Sequence, residues 1–522
     1  MHEIGDNKSE SVPAAQHKKV LILIVCYNAE KSIESVLDRI PHEVWQDKHF
    51  STEVLIIDDQ SPDRTFYTAE DYSRRHPERN LTVLYNPKNQ GYGGNQKIGY
   101  CYAIKNGFDA VVLLHGDGQY APEYLGRMIQ PILHGEADVV FGSRMIHRLD
   151  ALKGKMPIYK WIGNQILTFV QNLIMKSHLS EFHTGYRAYG IAALKSVPFE
   201  YNSNYFDFDT DIIIQLIDTK KRIKEIAVPT FYGDEISRVN GIKYAIRIVR
   251  SCILSKLNKM GIYYHPKFDY ESGSNYRYQA KFGYPSSQQF ALDQVKPGST
   301  VVDVGCGPGF MAAKLALKNV KTTSIDVQIQ PEVRKNTWKS VEANIEQYNF
   351  NDDFGGKVDY VLALDVIEHL KSPERLLKVL RHRFSKDAPD VVITTGNVAF
   401  LPLRIGLLFN SFNYGSRGIL DMDHARLFTF SSLCRTLEIS GYEVFKKRGI
   451  PAPFPLAVGD GRLARFLLLM NRALIFLSKS LFSYQIAVIA RPLPTLDHLL
   501  EDAHEAKRKK LKASFAQEGS NQ

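Results

Sequence analysis

The chain begins the same kind of pattern twice. An apolar run, Val20-Leu-Ile-Leu-Ile-Val25, leads into a helix-like stretch and then into Glu53-Val-Leu-Ile-Ile57, Leu81-Thr-Val-Leu84 and Ala110-Val-Val-Leu-Leu114. Strands this short and this uniformly apolar, spaced by helical segments, need a sheet covered on both faces, the habit of parallel α/β sheets. A second start follows at Pro297-Gly298-Ser-Thr-Val301-Val-Asp303-Val-Gly305, and the alternation continues to Gln485-Ile-Ala-Val-Ile-Ala-Arg491. The two halves do not repeat one another in sequence. The expected fold class is therefore α/β, with two different doubly wound domains in one chain. We expect a disordered N-terminal tail over 1–18, a first domain over 19–250, and a linker over 251–287. A second domain over 288–495 and a polar tail over 496–522 complete the division.

Composition narrows the function. Hydrophobic residues at 44% and charged residues at 23% exclude a wholly disordered, collagenous or multi-span membrane protein. The five cysteines lie far apart with no CxxC pair, which excludes a disulfide framework or a zinc ribbon and fits a reducing compartment. The net charge of +10 suits a phosphate-bearing ligand or an anionic membrane face. Without a dense basic and aromatic stripe, no nucleic-acid partner is expected. No run approaches the ~20 apolar residues that span a bilayer, and Met1–Lys19 lacks the apolar core of a signal peptide. The expected location is cytoplasmic, with peripheral contact at the inner membrane face. Two apolar stretches, Met156–Met175 and Phe466–Leu477, are punctuated or flanked by Lys and Arg. Each fits a helix lying on lipid and equally a helix packed on a core.

Polar residues stand where the first-half strands end: Tyr27-Asn28, Asp58-Asp59 and Asp117, the side of an open α/β sheet that binds ligands. Five motifs occur in order: Cys26-Tyr27-Asn28, Ile57-Asp58-Asp59-Gln-Ser61-Pro-Asp63, Asn89-Gln-Gly91-Tyr-Gly93-Gly94-Asn95, Gly116-Asp117-Gly-Gln119 and Gly142-Ser-Arg144. This set resembles the inverting family 2 glycosyltransferases, above all the dolichyl- and polyprenyl-phosphate sugar synthases, over about 20–240. The resemblance implies a GT-A domain that takes a nucleotide-sugar donor. Tyr27, Asn28, Asp58 and Asp59 would bind the nucleotide. Asp117 and Gln119 would ligate Mg²⁺ or Mn²⁺, hard cations that take oxygen ligands, and Arg144 would clamp the diphosphate. Two positions depart from the family: His115 stands where its D-x-D has the first aspartate, and Ala29 where Glu is usual.

A sugar hydroxyl acceptor would need a carboxylate base, whereas a polyprenyl phosphate is already anionic. Asp207, Asp209 and Asp211 are the candidates for a base or an acceptor contact, with Asp209 carried forward as catalytic; Asp209 or Asp211 equally suits a cap on the helix beginning at Ile212. His183-Thr-Gly185-Tyr-Arg187 resembles the acceptor-side stretch of the polyprenyl-phosphate enzymes, which makes Arg187 and Arg238 the expected acceptor contacts. A glycan acceptor stays open beside the lipid.

In the second half, Asp303-Val-Gly305-Cys-Gly307-Pro-Gly309 turns a strand into a helix, and Asp326 ends the next strand, where a carboxylate would meet ribose hydroxyls. The continuation Val358-Asp-Tyr-Val-Leu-Ala-Leu-Asp365-Val-Ile-Glu368-His369 and Val391-Val-Ile-Thr-Thr-Gly-Asn397 resembles the class I S-adenosylmethionine-dependent methyltransferases. That likeness implies Asp303, Gly305, Gly307, Gly309, Asp326 and Asp365 as cofactor contacts. A hydroxyl acceptor would need a base, and His424 or His369 would serve unless each only closes a local hydrogen bond. The expected activity is sugar transfer joined to methylation of a glycan or glycolipid. The alternative is a methyltransferase carrying a non-catalytic sugar-nucleotide domain as a scaffold.

Overall fold

The computed structural model describes residues 17–229, 241–270, 280–500, 503, 504 and 506. They fall into two compact units, 17–255 with 265–270 and 256–264 with 280–506. The boundary expected at 251 falls inside the helix Gly241–Lys259.

The first unit is a seven-stranded sheet of β1 (Lys18–Cys26), β2 (Phe50–Asp58), β3 (Leu81–Tyr85), β4 (Ala110–His115), β5 (Val139–Ser143), β6 (Arg187–Gly190) and β7 (Ile223–Ala227), in the order β3-β2-β1-β4-β6-β5-β7. Its interior strand β1 shows why an unbroken apolar run was needed. Val20, Ile22, Ile24 and Cys26 enter one core, Leu21, Leu23 and Val25 the other. Alternate side chains point to opposite faces, and helices bury both.

The second unit is built alike from β8 (Thr300–Val304), β9 (Lys321–Asp326), β10 (Lys339–Glu342), β11 (Tyr360–Leu364), β12 (Asp390–Gly396), β13 (Tyr442–Ile450) and β14 (Gln485–Pro492), in the order β10-β9-β8-β11-β12-β14-β13. Both sheets are the expected α/β type, and each is mixed rather than purely parallel. β6 runs antiparallel to β4 and β5, and β14 runs antiparallel to β12 and β13. A strand buried on both faces carries the same apolar run in either direction, so periodicity holds no signal for its sense. Among the described residues no helix is long and apolar enough to cross a membrane.

Candidate functional site

The carboxyl ends of β1, β2, β4 and β5 share one edge of the first sheet, because β5 is reversed twice with respect to β4 through β6. Tyr27 is exposed there, and Asn28 has φ 57°, a left-handed conformation that asparagine tolerates. The backbone N–H of Asn28 donates to Ser61 Oγ at 2.9 Å, and Ser61 donates through Oγ to Asp58 Oδ1. The other Asp58 carboxylate oxygen is buried without a protein partner, and burial lifts this carboxyl above its ordinary value. An orphaned acceptor at a strand end asks for a donor from a ligand.

Asp59 is differently placed. Its carboxylate accepts from Asn86 Nδ2 at 2.8 Å and from the backbone N–H groups of Gln90 (2.8 Å) and Gly91 (2.9 Å). It fixes the loop over 86–91. Gly91, at φ 77°, would put a Cβ 2.6 Å from the Asn204 carbonyl oxygen, and one on Gly93 would lie 2.5 Å from Phe208. These glycines serve close packing against residues 203–208. Neither Asp58 nor Asp59 caps the next helix, which begins at Thr65.

Arg144, at the end of β5, is held by a residue that sequence reasoning missed. Glu181 accepts the Arg144 backbone N–H at 2.8 Å and Nε at 3.1 Å, and pairs with Nη2, which also donates to the His183 carbonyl at 3.0 Å. Burial alone would raise the Glu181 carboxyl, but the Arg144 guanidinium holds it below its usual value. Asn164 adds a hydrogen bond to Glu181 at 2.9 Å. A lone glutamate in a polar loop gives no motif, so nothing in the sequence pointed to this clamp.

His115 ends β4. Its Nε2 lies 3.3 Å from the Tyr92 hydroxyl, and its ring meets Tyr92 and Tyr120 edge-on. Burial pulls its pKa down to about 4, so it is neutral at physiological pH. Asp117 stands at the exposed mouth, where Oδ1 accepts the Gln119 N–H at 3.0 Å. Among the described residues no three His, Cys, Asp or Glu side chains converge as a metal cage. One carboxylate with a neighbouring carboxamide fits Mg²⁺, which keeps waters and substrate phosphates as its other ligands.

Behind this edge lies a buried relay. Tyr92 donates to Asp209 Oδ2 at 3.0 Å, and Asp209 Oδ1 pairs with Arg187 Nη1 at 3.1 Å. Arg187 is wholly buried, donates to the carbonyls of Asp209 and Phe182, and packs on the Phe141 ring. This corrects the expectation that Arg187 contacts an acceptor: its guanidinium is enclosed by the core. Asp209 lies in the first turn of the helix Phe208–Asp218 without capping it. Asp211 is likewise occupied, pairing with Lys267 Nζ at 2.9 Å. Arg238 lies outside the described residues.

The second sheet gathers its own set at the ends of β8, β9 and β11. Asp303 is buried, one of its oxygens has no protein partner, and burial with the charge of Asp326 lifts its pKa to about 7. Asp326 Oδ2 accepts the Gly307 N–H at 2.8 Å, which folds the glycine turn over the end of β9. A Cβ on Gly305 would meet Val366 at 2.5 Å and one on Gly309 would meet Val333 at 2.7 Å, but one on Gly307 would enter open space. The cradle is thus packed from behind and open in front, and an orphaned carboxylate oxygen lies beside it. Those features fit a cationic amino-acid ligand such as S-adenosylmethionine. Asp365 is different. Its carboxylate is already shared by Ser287 (2.9 Å), Thr394 (2.8 Å) and Gln485 (2.9 Å), so it braces strand ends.

His424 and His369 meet edge-on with centroids 4.8 Å apart. His424 Nδ1 lies 2.9 Å from the Ile419 carbonyl, and His369 Nδ1 lies 3.2 Å from that of Asp423. A carbonyl only accepts, so each Nδ1 carries a proton, and in the neutral His424 ring the lone pair is on Nε2. Burial lowers the His424 pKa, which leaves the ring neutral and able to take a proton at physiological pH.

Comparison with known proteins agrees with this division. Residues 21–197 match the family model described as glycosyl transferase family 2, and residues 276–447 that of a methyltransferase domain. A UDP-N-acetylglucosamine–dolichyl-phosphate N-acetylglucosaminyltransferase of Methanococcus voltae is 24% identical over 254 residues, 47% of this chain and 98% of that protein. An undecaprenyl-phosphate mannosyltransferase of Micrococcus luteus is 28% identical over 233 residues, 43% of this chain and 88% of that one. A solved structure of an S-adenosylmethionine-dependent methyltransferase from Listeria monocytogenes, designated putative, covers 40% of this chain and 96% of its own, with 14% identity and a TM-score of 0.28.

Proposed function

We propose that this chain, which carries a family 2 glycosyl transferase domain followed by a methyltransferase domain, is a bifunctional transferase acting twice on one lipid-linked glycan. The first domain, placed at 19–250, moves a sugar from a nucleotide diphosphate to a polyprenyl phosphate with inversion. The second, at 288–495, methylates the product with S-adenosylmethionine. The observation that supports a lipid acceptor is the helix Ile158–Met175. Its Asn164 braces the Glu181–Arg144 clamp, while Ile162, Ile166, Phe169 and Leu173 form an exposed apolar stripe at helical spacing. The diphosphate clamp and a lipid-compatible face thus share one helix. The relatives with named activities that use dolichyl and undecaprenyl phosphates support the same acceptor class.

Arg144 and Asp117 have the roles their chemistry suits. Arg144 offers charge-assisted hydrogen bonds to the departing diphosphate, and Glu181 holds it in place. A divalent cation beside Asp117 and Gln119 would neutralise the rest of that charge. A lipid phosphate needs positioning more than deprotonation, so Asp209 acts through Tyr92 and Arg187 and not as a base. In the second domain S-adenosylmethionine would supply an activated methyl group. Asp303, Asp326 and the Gly305–Gly309 turn hold it, and His424 Nε2 takes the acceptor proton.

The test is transfer of label from a panel of nucleotide sugars into solvent-extractable lipid with Mn²⁺ and polyprenyl phosphate, and of labelled methyl into that product. Arg144→Ala should abolish the first label. His424→Asn should lower the second by about 10²–10⁴-fold with cofactor binding intact. A second reading, the non-catalytic scaffold, draws on one observation: His115 faces Tyr92 and Tyr120, which leaves Asp117 as a lone carboxylate. Absence of Mn²⁺-dependent nucleoside diphosphate binding would favour it.

A further inference from the structure

Two insertions leave the second sheet at the edge that holds the glycine turn. β12 ends at Gly396, β13 ends at Ile450 and β14 begins at Gln485, and the register pairs Gly396 with Gln485 and Gln485 with Ile450. The parallel pairing of β11 with β12 and of β8 with β11 sets Asp365 and Gly305 at that same edge. The insertions, residues 397–420 and 451–484, therefore stand beside the place where a methyl acceptor must enter.

They form one surface. Asn397 Nδ2 donates to the Ser480 and Ser483 carbonyls at 2.9 and 2.8 Å, and Phe400, Leu403, Ile419, Leu420, Ala452 and Tyr484 share an apolar cluster beneath. The helix Arg462–Leu477 is anchored on one side only. Ala464, Leu468, Asn471 and Ile475 are buried at the spacing of a single helical face. Asn471 ties that face down, accepting the Ala452 N–H at 3.0 Å and donating to the Phe482 carbonyl at 2.9 Å. The opposite side presents Phe466, Leu469, Phe476 and Leu477 to solvent, Phe476 at 90% exposure. From the first insertion, at the end of the helix Leu401–Leu408, Leu408 (82%) and Phe409 (80%) are also exposed. Apolar exposure on this scale marks a surface that is covered in use.

Charge identifies what covers it. The two insertions carry Arg404, Arg417, Arg462, Arg465, Arg472 and Lys479 against a single acid, Asp460. The chain as a whole has 66 basic and 56 acidic residues, so half of its formal excess of +10 sits in these two segments. Exposed aromatic and leucine side chains interleaved with arginines, with almost no carboxylates, match the acyl and headgroup layers of an anionic bilayer, and arginine can keep its head at the phosphates while its stem lies on the apolar side chains.

We propose that this cap of the methyltransferase unit docks on an anionic phospholipid surface, so that the acceptor reaches the His424 site from the plane of the membrane. The proposal stands on the second unit alone and does not require the sugar-transfer reading.

It is tested with the full chain and vesicles of phosphatidylcholine, with or without phosphatidylglycerol, lacking polyprenyl phosphate. Phe476→Trp should show blue-shifted emission and quenching by brominated acyl chains beyond that of the parent chain, with anionic vesicles and less so in high salt. Leu469→Glu/Phe476→Glu should lower vesicle partitioning at least about tenfold, with an unchanged far-ultraviolet spectrum, because both side chains are exposed. Ile166→Glu/Phe169→Glu in the first unit should leave quenching of the Phe476→Trp probe intact even if it abolishes sugar transfer, which separates this proposal from the preceding one. No added quenching, or unchanged partitioning of Leu469→Glu/Phe476→Glu, overturns it. So does a concentration-dependent dimer that the same double substitution dissociates without any vesicle binding, since the occupant would then be a second copy of the chain.

Discussion

Replacing Asp209 by alanine removes the carboxylate that pairs with Arg187 in the core of the first unit. Arg187 is wholly buried, and without the 3.1 Å contact to Asp209 Oδ1 it is left among neutral groups, including the carbonyls of residue 209 and Phe182 at 3.2 and 3.3 Å and the Phe141 ring. Breaking a buried pair by removing one partner costs about 3–5 kcal/mol, chiefly because the surviving charge is left uncompensated. The Tyr92 hydroxyl loses its acceptor as well, worth about 1 kcal/mol. Asp209→Ala should therefore destabilise the first unit by about 5 kcal/mol. Arg187→Met/Asp209→Ala should recover at least about 2 kcal/mol of that, because no buried charge remains. Trp45 and Trp161 lie in the first unit and Trp338 in the second, so urea unfolding followed by fluorescence in a Trp338→Phe background reports the first unit alone. A loss below about 1 kcal/mol, or a double variant as unstable as the sum of the singles, would refute the reasoning and return Asp209 to the list of free carboxylates able to act as a base.

Three further outcomes are expected. Glu181→Gln keeps the shape of the clamp but removes its charge, so Arg144 loses its fixed position; donor affinity, read by calorimetry with a nucleoside diphosphate and Mn²⁺, should fall by about 2 kcal/mol. Gly307→Ala places a methyl group in the open front of the cradle at φ 53°; it should cost about 1 kcal/mol of stability and far more in S-adenosylmethionine affinity, whereas an unchanged affinity would mean the turn does not hold the cofactor. Burial, with the neighbouring Asp365 charge, pushes Glu368 up to about 8, and burial with Asp326 puts Asp303 at about 7. The unfolded chain then binds fewer protons than the folded one between about pH 5 and 8, so stability of the second unit falls as pH rises through that window. Glu368→Gln should flatten the slope of the urea midpoint against pH, read through Trp338.

Strand positions were legible because a doubly covered sheet demands unbroken apolar runs, and Val20–Val25 or Ala110–Leu114 have few other uses. Strand direction was not, since an apolar run such as that of β14 reads the same in either sense, and β6 is only the four residues Arg187–Gly190 with no apolar run to mark it. The acidic strand ends were visible as residues but not as roles. Asp58 keeps an open acceptor whereas Asp59, beside it, is consumed by the loop over 86–91, a difference set by Asn86 and two backbone amides far along the chain. Arg187 was misread for the same reason: a motif arginine beside an apparent acceptor loop says nothing about whether Asp209 will fold over it. Glu181 carries no pattern at all. Its importance arises only when Arg144 and Asn164 are brought to it. The helix Arg462–Leu477 was legible as apolar and basic, but only packing shows that it uses one side for the core and leaves the other over.

The pairing of Ile450 with Gln485 has a consequence for how such an enzyme can change. The thirty-four residues between them begin and end on the two sides of one rung of an antiparallel ladder, so the strands would close equally well over a tight turn, and lengthening that loop adds little closure entropy. That rung includes no residue of the glycine turn, nor Asp303 or Asp326. On the proposed reading, this segment could therefore be exchanged wholesale to suit a different methyl acceptor without disturbing the turn that would hold the methyl donor.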